Sequence, residues 1–190
     1  MPQEDNYNLP NALSLVRILS IPMLILLCMW QWRWAGLMAA GVFALASITD
    51  LLDGYLARKL GRVTVLGKFL DPVADKLLVS AALIMLIPLG RAPAWLVFII
   101  IGREIAVTGL RAAAMATEKK VIIDASIWGK IKTVSQIVAI LGLLVKDTYL
   151  GVDFGLIGYL SLWVALLLTI ISGYLYFKDY WTVVAKPSNH

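Results

Sequence analysis

The sequence predicts an all-α integral membrane protein of six transmembrane helices, with its functional site at the cytoplasmic boundary. Three observations carry the fold class. The chain is 61% hydrophobic and 15% charged, where soluble domains average about 45–50% and about 25%. Its apolar residues fall into six runs, each close to the ~20 residues that cross a bilayer as a helix. None of the runs alternates apolar and polar residues as a barrel strand must. A mean hydropathy of +0.83 also excludes a disordered chain, which lacks apolar surface to bury. Six spans account for nearly all of the 190 residues, so residues 1–190 are expected to form one membrane domain.

The first run, Leu13 to Trp30, is broken by Arg17 and Pro22. The segment before it carries Glu4 and Asp5 and no basic cluster, which fits a retained helix better than a cleaved leader. The second run, Trp34 to Leu56, carries Asp50 and Asp53 near its end. The third, Phe69 to Leu89, has Asp71, Asp75 and Lys76 near its start. The fourth, Ala94 to Ala116, holds Arg103, Glu104 and Arg111. The fifth, Ile127 to Val145, starts with Lys130 and Lys132, and the sixth is Phe154 to Phe177. Arg33, Arg91 and Lys146 occupy the three short odd-numbered loops, and the other 14 of the 17 basic residues lie toward the opposite side. The positive-inside rule then puts both termini and the loops near residues 62 and 120 in the cytoplasm. Trp30, Trp32, Trp34, Trp95 and Tyr149 fall near the far interface, as an aromatic belt would.

Scarce residues restrict the chemistry. There is one Cys, Cys28, and one His, His190. An internal disulfide, a His/Cys zinc site and a His-based triad within the chain are excluded. Carboxylates, Lys, Arg, hydroxyls or an oxygen-ligated metal remain. The net charge of +5 suits an anionic membrane surface or a phosphate-bearing substrate.

The informative segment runs from Asp50 to Lys76, DLLDGYLARKLGRVTVLGKFLDPVADK. An Asp deep in a span costs about 2.5–3.5 kcal/mol on insertion scales, so four of them need compensation or a boundary position. Asp50 and Asp53 share a helix face, as do Asp71 and Asp75. An antiparallel hairpin can turn the two faces together at the cytoplasmic boundary. Four facing carboxylates repel unless cations lie between them, and hard oxygen donors suit Mg²⁺ or Mn²⁺. A carboxylate-bridged pair of such ions suits phosphoryl chemistry. Gly54 and Ala57 continue the Asp50–Asp53 stripe and leave a groove, and Arg58 can fork onto a phosphate. Blander readings exist: Gly54 and Ala57 as helix-packing residues, Asp71 before Pro72 as an N-cap, and Arg58 as positive-inside charge. A small cation transporter would also use intramembrane carboxylates, but it needs a second acidic group across the bilayer, and the acids cluster at one face.

The segment resembles the signature of the CDP-alcohol phosphatidyltransferase family: D-x-x-D-G-x-x-A-R, eight residues, G-x-x-x-D-x-x-x-D. Its eight fixed positions are Asp50, Asp53, Gly54, Ala57, Arg58, Gly67, Asp71 and Asp75, with no gap. The resemblance implies a six-span fold, a homodimer and a binuclear metal site held by Asp50, Asp53, Asp71 and Asp75. It implies that Asp75 also takes the proton of the acceptor hydroxyl. Gly54, Ala57, Arg58 and Gly67 would hold the cytidine diphosphate portion of the donor, and CMP would leave in a single displacement.

A second basic group bears on the acceptor. Arg103 and Arg111 are eight apart on one helix and point to roughly the same side, with Lys130 and Lys132 across a loop. Arg within a span usually faces a cavity or a partner, so a pocket for a phosphate-bearing acceptor is expected. Alternatively, Glu104 pairs locally with one Arg while the lysines reach outward to the interface. The words GREIAVTGLR, WGKIKT and PNALSLVR are similar to a bacterial branch of the family. That branch transfers the phosphatidyl group from CDP-diacylglycerol to sn-glycerol 3-phosphate. It implies Arg103, Arg111 and Lys130 as acceptor-phosphate ligands, with Lys132 less firmly placed, and a bacterial inner membrane. Another acceptor, such as inositol phosphate, would need a similar pocket.

Overall fold

The computed structural model describes residues 9–30, 32–60, 65–116, 127–149 and 151–184. Among them the chain forms six helices and one minimal hairpin: α1 (Leu9–Met29), α2 (Ala35–Leu60), α3 (Val65–Leu86), α4 (Ala94–Ala116), α5 (Ile127–Val145), β1 (Thr148–Tyr149), β2 (Val152–Asp153) and α6 (Phe154–Val184). Glu4, Asp5 and the connections near residues 62 and 120 lie outside the described residues.

The helices follow the apolar runs, and α4 and α5 have the expected bounds. Three departures matter. Helix α3 begins at Val65 rather than Phe69, so Asp71 lies inside the helix and is not its N-cap. Helix α2 continues to Leu60, placing the whole stretch from Asp50 to Arg58 on one helix. Helix α6 continues past Phe177 to Val184. The antiparallel pairing of Thr148 with Asp153 and Tyr149 with Val152 is a strand element that the all-α expectation did not include.

One helix among the described residues is long and apolar enough to cross a membrane by itself, Phe154–Lys178, with mean hydropathy 2.3. Val16–Met29 and Ala35–Thr49 are shorter apolar stretches. Charged residues interrupt the rest. Asp50 and Asp53 close the apolar part of α2, Asp71 to Lys76 open α3, and Arg103 to Arg111 cut α4.

The core runs through the bundle from Leu24 on α1 and Phe43 on α2 to Leu83 on α3, Ile100 on α4, Ile140 on α5 and Leu162 on α6. Helices α5 and α6 pack backbone to backbone. A Cβ on Gly142 would lie 2.7 Å from the Gly158 Cα, and one on Gly158 would lie 2.5 Å from the Leu143 amide nitrogen. Both positions therefore require glycine: the two backbones touch, as small residues allow where membrane helices pack. Gly158→Ala should destabilise the protein by about 1–3 kcal/mol, the usual cost of overpacking. Thermal unfolding in detergent reads this, and an unchanged midpoint would show that α5 and α6 can part without loss.

The short connections gather at one end. Trp30, Trp32, Arg33, Leu89, Arg91, Val145, Asp147 and Tyr149 line a common cavity there of about 190 Å³. Trp30, Trp32, Trp34 and Trp95 are exposed. Helix α3 ends in a Schellman turn: the Arg91 amide donates to Leu86 O at 2.9 Å and the Gly90 amide to Ile87 O at 2.9 Å, with Gly90 at φ 67°, where glycine carries no Cβ penalty. Arg91 Nη1 then donates to the carbonyls of Leu143 at 2.9 Å and Leu144 at 2.7 Å. A cation thus meets the negative end of the α5 dipole and ties the α3–α4 connection to α5. The other end of the bundle receives the start of α3, the latter half of α4, the start of α5 and the latter half of α6, and it carries the charged residues.

Candidate active site

A cavity of about 270 Å³ opens at that charged end. Among the described residues its cations are Lys76 from α3, Arg103 and Arg111 from α4, and Lys130 and Lys132 from α5, and its carboxylate is Glu104. Among the described residues, five positive side chains against one negative give the cavity a positive field of the kind that attracts anions. Arg103, Arg111, Lys130 and Lys132, grouped by their spacing in the sequence, all line it.

The cations differ in what binds them. Arg103 is largely committed: its Nη1 donates to Glu104 Oε1 at 3.1 Å and its Nη2 to Ser172 Oγ at 2.8 Å. Its stem lies against α6 at Gly173, where a Cβ would sit 3.3 Å from Arg103 Cγ. Ser172 passes the connection on by donating to Leu168 O at 2.5 Å. Lys132 is buried at 3% exposure and pairs with Glu104. The local Arg103–Glu104 pair weighed above is thus present, but Lys132 turns inward instead of reaching the interface. Arg111 is freer. Its Nε donates to Tyr176 Oη at 3.4 Å, and its guanidinium carbon stands 5.7 Å from that ring centroid. No carboxylate among the described residues pairs with it, and it lines the cavity. Lys130 is exposed at the rim.

Asp75 lines an adjoining crevice of about 30 Å³ with Lys76, Glu104, Lys132, Thr133 and Gln136. Four of these residues, Lys76, Glu104, Lys132 and Thr133, also line the cationic cavity. The half-buried Asp75 carboxylate therefore sits beside the anion site. Asp50, Asp53, Gly54, Ala57 and Arg58 lie on α2, and Gly67 and Asp71 on α3. Their side chains fall outside what the structure describes. Of the four acidic positions, only Asp75 can be placed to its oxygens.

Spacing did not reveal Lys76 or Glu104 as cavity members, nor Thr108, Thr133, Ser172 and Tyr176. A signal for the last two was present. Thr169, Ser172, Gly173 and Tyr176 repeat at i, i+3, i+4 and i+7 in an otherwise apolar helix, the stripe of a single helix face. That face is the one α6 turns toward Arg103 and Arg111.

The pattern of the CDP-alcohol phosphatidyltransferase family matches residues 7–171. A Bacillus subtilis (strain 168) protein named CDP-diacylglycerol–glycerol-3-phosphate 3-phosphatidyltransferase is 44% identical over 199 aligned residues, covering 96% of this chain and 100% of that protein. A Rickettsia typhi protein of the same name is 42% identical over 172 residues, covering 90% of this chain and 96% of its own. A rice protein named cardiolipin synthase (CMP-forming) is 37% identical over 200 residues, with 97% of this chain and 61% of that protein aligned. The signature residues, the helical bundle and these relatives lead to one conclusion: the chain belongs to the CDP-alcohol phosphatidyltransferase family.

Proposed function

We propose that this protein transfers the phosphatidyl group of CDP-diacylglycerol to sn-glycerol 3-phosphate, giving phosphatidylglycerol phosphate and CMP. The observation that carries the reading is the five-cation cavity lying against the Asp75 crevice. It offers an acceptor phosphate a site from which the acceptor hydroxyl can reach a carboxylate.

The donor set fits a hard divalent metal. Asp50, Asp53, Asp71 and Asp75 offer only carboxylate oxygens, and among the described residues Asp75 makes no ion pair that would occupy its own. These four would hold two Mg²⁺ or Mn²⁺ ions, which when bound neutralise the charge on the donor's phosphate oxygens. The chain's own groups do the rest. Gly54, Ala57 and Gly67 leave space for the cytidine diphosphate portion, and Arg58 binds one of its phosphates. Arg111 and Lys130 bind the acceptor phosphate, with Arg103 as the fixed wall behind them. Asp75 accepts the proton of the acceptor hydroxyl as its oxygen bonds to the phosphatidyl phosphorus. The bond from that phosphorus to the CMP oxygen breaks, and CMP leaves with the bond's electron pair.

The same reading places residues 1–190 in one domain of six spans in a bacterial inner membrane, with both termini cytoplasmic, assembled as a homodimer. The cationic end then faces the cytoplasm. The donor's acyl chains stay in the inner leaflet while the water-soluble acceptor arrives from the other side of the boundary.

An acceptor panel is the direct test. Purified protein with CDP-diacylglycerol and Mg²⁺ or Mn²⁺ should release CMP with sn-glycerol 3-phosphate and not with free serine, which lacks the phosphate that the cavity is charged to bind. CMP release with inositol phosphate or serine, and none with glycerol 3-phosphate, would reject the acceptor. Metal flux into proteoliposomes without any CDP-lipid would reject the enzyme.

A further inference from the structure

Glu104 has more partners than a local pair needs. Its Oε1 accepts from Arg103 Nη1 and from Lys132 Nζ, and its Oε2 lies 3.7 Å from Lys76 Nζ. One carboxylate thus collects cations from α3, α4 and α5. The pair with Arg103, its neighbour on α4, asks nothing of the other helices; the two lysines must be brought in from them.

Both lysines have another carboxylate at hand. Asp75 lines the crevice with Lys76, Lys132 and Glu104 and attracts each lysine electrostatically. Among the described residues, however, both lysines pair with Glu104 and neither with Asp75. The choice has consequences. A Lys ammonium is a compact charge on a flexible stem, and on a carboxylate it would take the lone pairs and neutralise the charge that a divalent cation requires.

We propose that Glu104 is a positioning residue that holds Lys76 and Lys132 on the cavity side and thereby keeps Asp75 unpaired for a divalent cation. The inference rests on the metal site of the function proposed above and adds to it a residue outside the family signature. In this role Glu104 acts through the two lysines, from the wall that the cavity and the crevice share. It divides a crowded set of charges into an anion site and a cation site that share a wall.

Mn²⁺ binding to the full-length protein in detergent, followed by paramagnetic resonance without substrates, reads this without turnover. Glu104→Gln should bind Mn²⁺ about 10–100-fold more weakly than wild type, the range for losing a residue that supports metal ligands. Adding Lys132→Met or Lys76→Met to Glu104→Gln should recover most of that loss, because the released ammonium is then gone. Where the Gln variant does not fold, Glu104→Asp decides: its carboxylate is withdrawn by one methylene, and weaker binding is expected. Wild-type affinity in Glu104→Gln, a loss that neither Met substitution relieves, or wild-type affinity in Glu104→Asp as the fallback would overturn the role of Glu104 and leave the proposed function standing. Wild-type protein that binds no Mn²⁺ would overturn the metal site itself and the inference with it.

Discussion

Asp75→Asn is expected to lower the rate of CMP release by about 10²–10⁴-fold, the usual contribution of a positioned general base, with any loss of metal affinity adding to it. Asn keeps the size of the side chain but can neither take up a proton nor bring a negative charge. The substitution should leave the fold intact. Asp75 is half-buried on α3 and makes no ion pair among the described residues, so no partner is stranded. The neighbouring Ala74 and Leu78 are the α3 residues that pack inward there. The measurement is CMP release at saturating CDP-diacylglycerol and glycerol 3-phosphate, beside the thermal midpoint of the same preparation. Activity within tenfold of wild type at an unchanged midpoint would remove Asp75 from the chemistry. Activity lost together with the midpoint would instead mark it as structural.

How far this site was legible in the sequence depends on the range of the interactions. The ends of α4 and α5 are legible because their apolar runs stop abruptly at polar connections. The start of α3 is not legible in this way, since Val65 to Lys68 interleaves small, polar and apolar residues before the apolar run, and the helix includes them all the same. The end of α6 is hidden because Lys178 and Asp179 close the apolar run, while the helix continues to Val184 as its surroundings turn polar. The grouping of Arg103, Arg111, Lys130 and Lys132 follows from helical period and from the single loop between α4 and α5. Spacing gave no sign of the partners that cross the fold. Ser172 is 69 residues from Arg103, and Tyr176 is 65 from Arg111. Only the packing of α4 on α6 makes them neighbours. Glu104 is the clearest case: in sequence it is a charge beside an Arg, and in the fold it binds cations of three helices.

That difference in partners separates the two arginines, and Arg111→Ala is the second large effect expected. The substitution should raise the KM for glycerol 3-phosphate by about 10–100-fold, since a hydrogen bond to a charged group is worth about 1.5–3 kcal/mol. The KM for CDP-diacylglycerol should move much less. Arg111 is exposed to the cavity and held by Tyr176 alone among the described residues, so truncation removes a phosphate ligand without uncovering a buried charge. Arg111→Lys should recover part of the loss, because the charge returns but the planar fork does not. Arg103→Ala should behave differently. Its guanidinium spans Glu104 on α4 and Ser172 on α6, so its removal loosens the wall that fixes Glu104 and costs thermal stability as well as turnover. The two variants, assayed against both substrates in turn, decide the assignment. If Arg111→Ala weakens donor and acceptor equally, the cavity is a general scaffold for the active site and the acceptor phosphate binds elsewhere. If the acceptor alone is affected, the freest arginine of the cavity is the one that recognises it, and the division between binding and supporting cations follows from which of them Glu104 already holds.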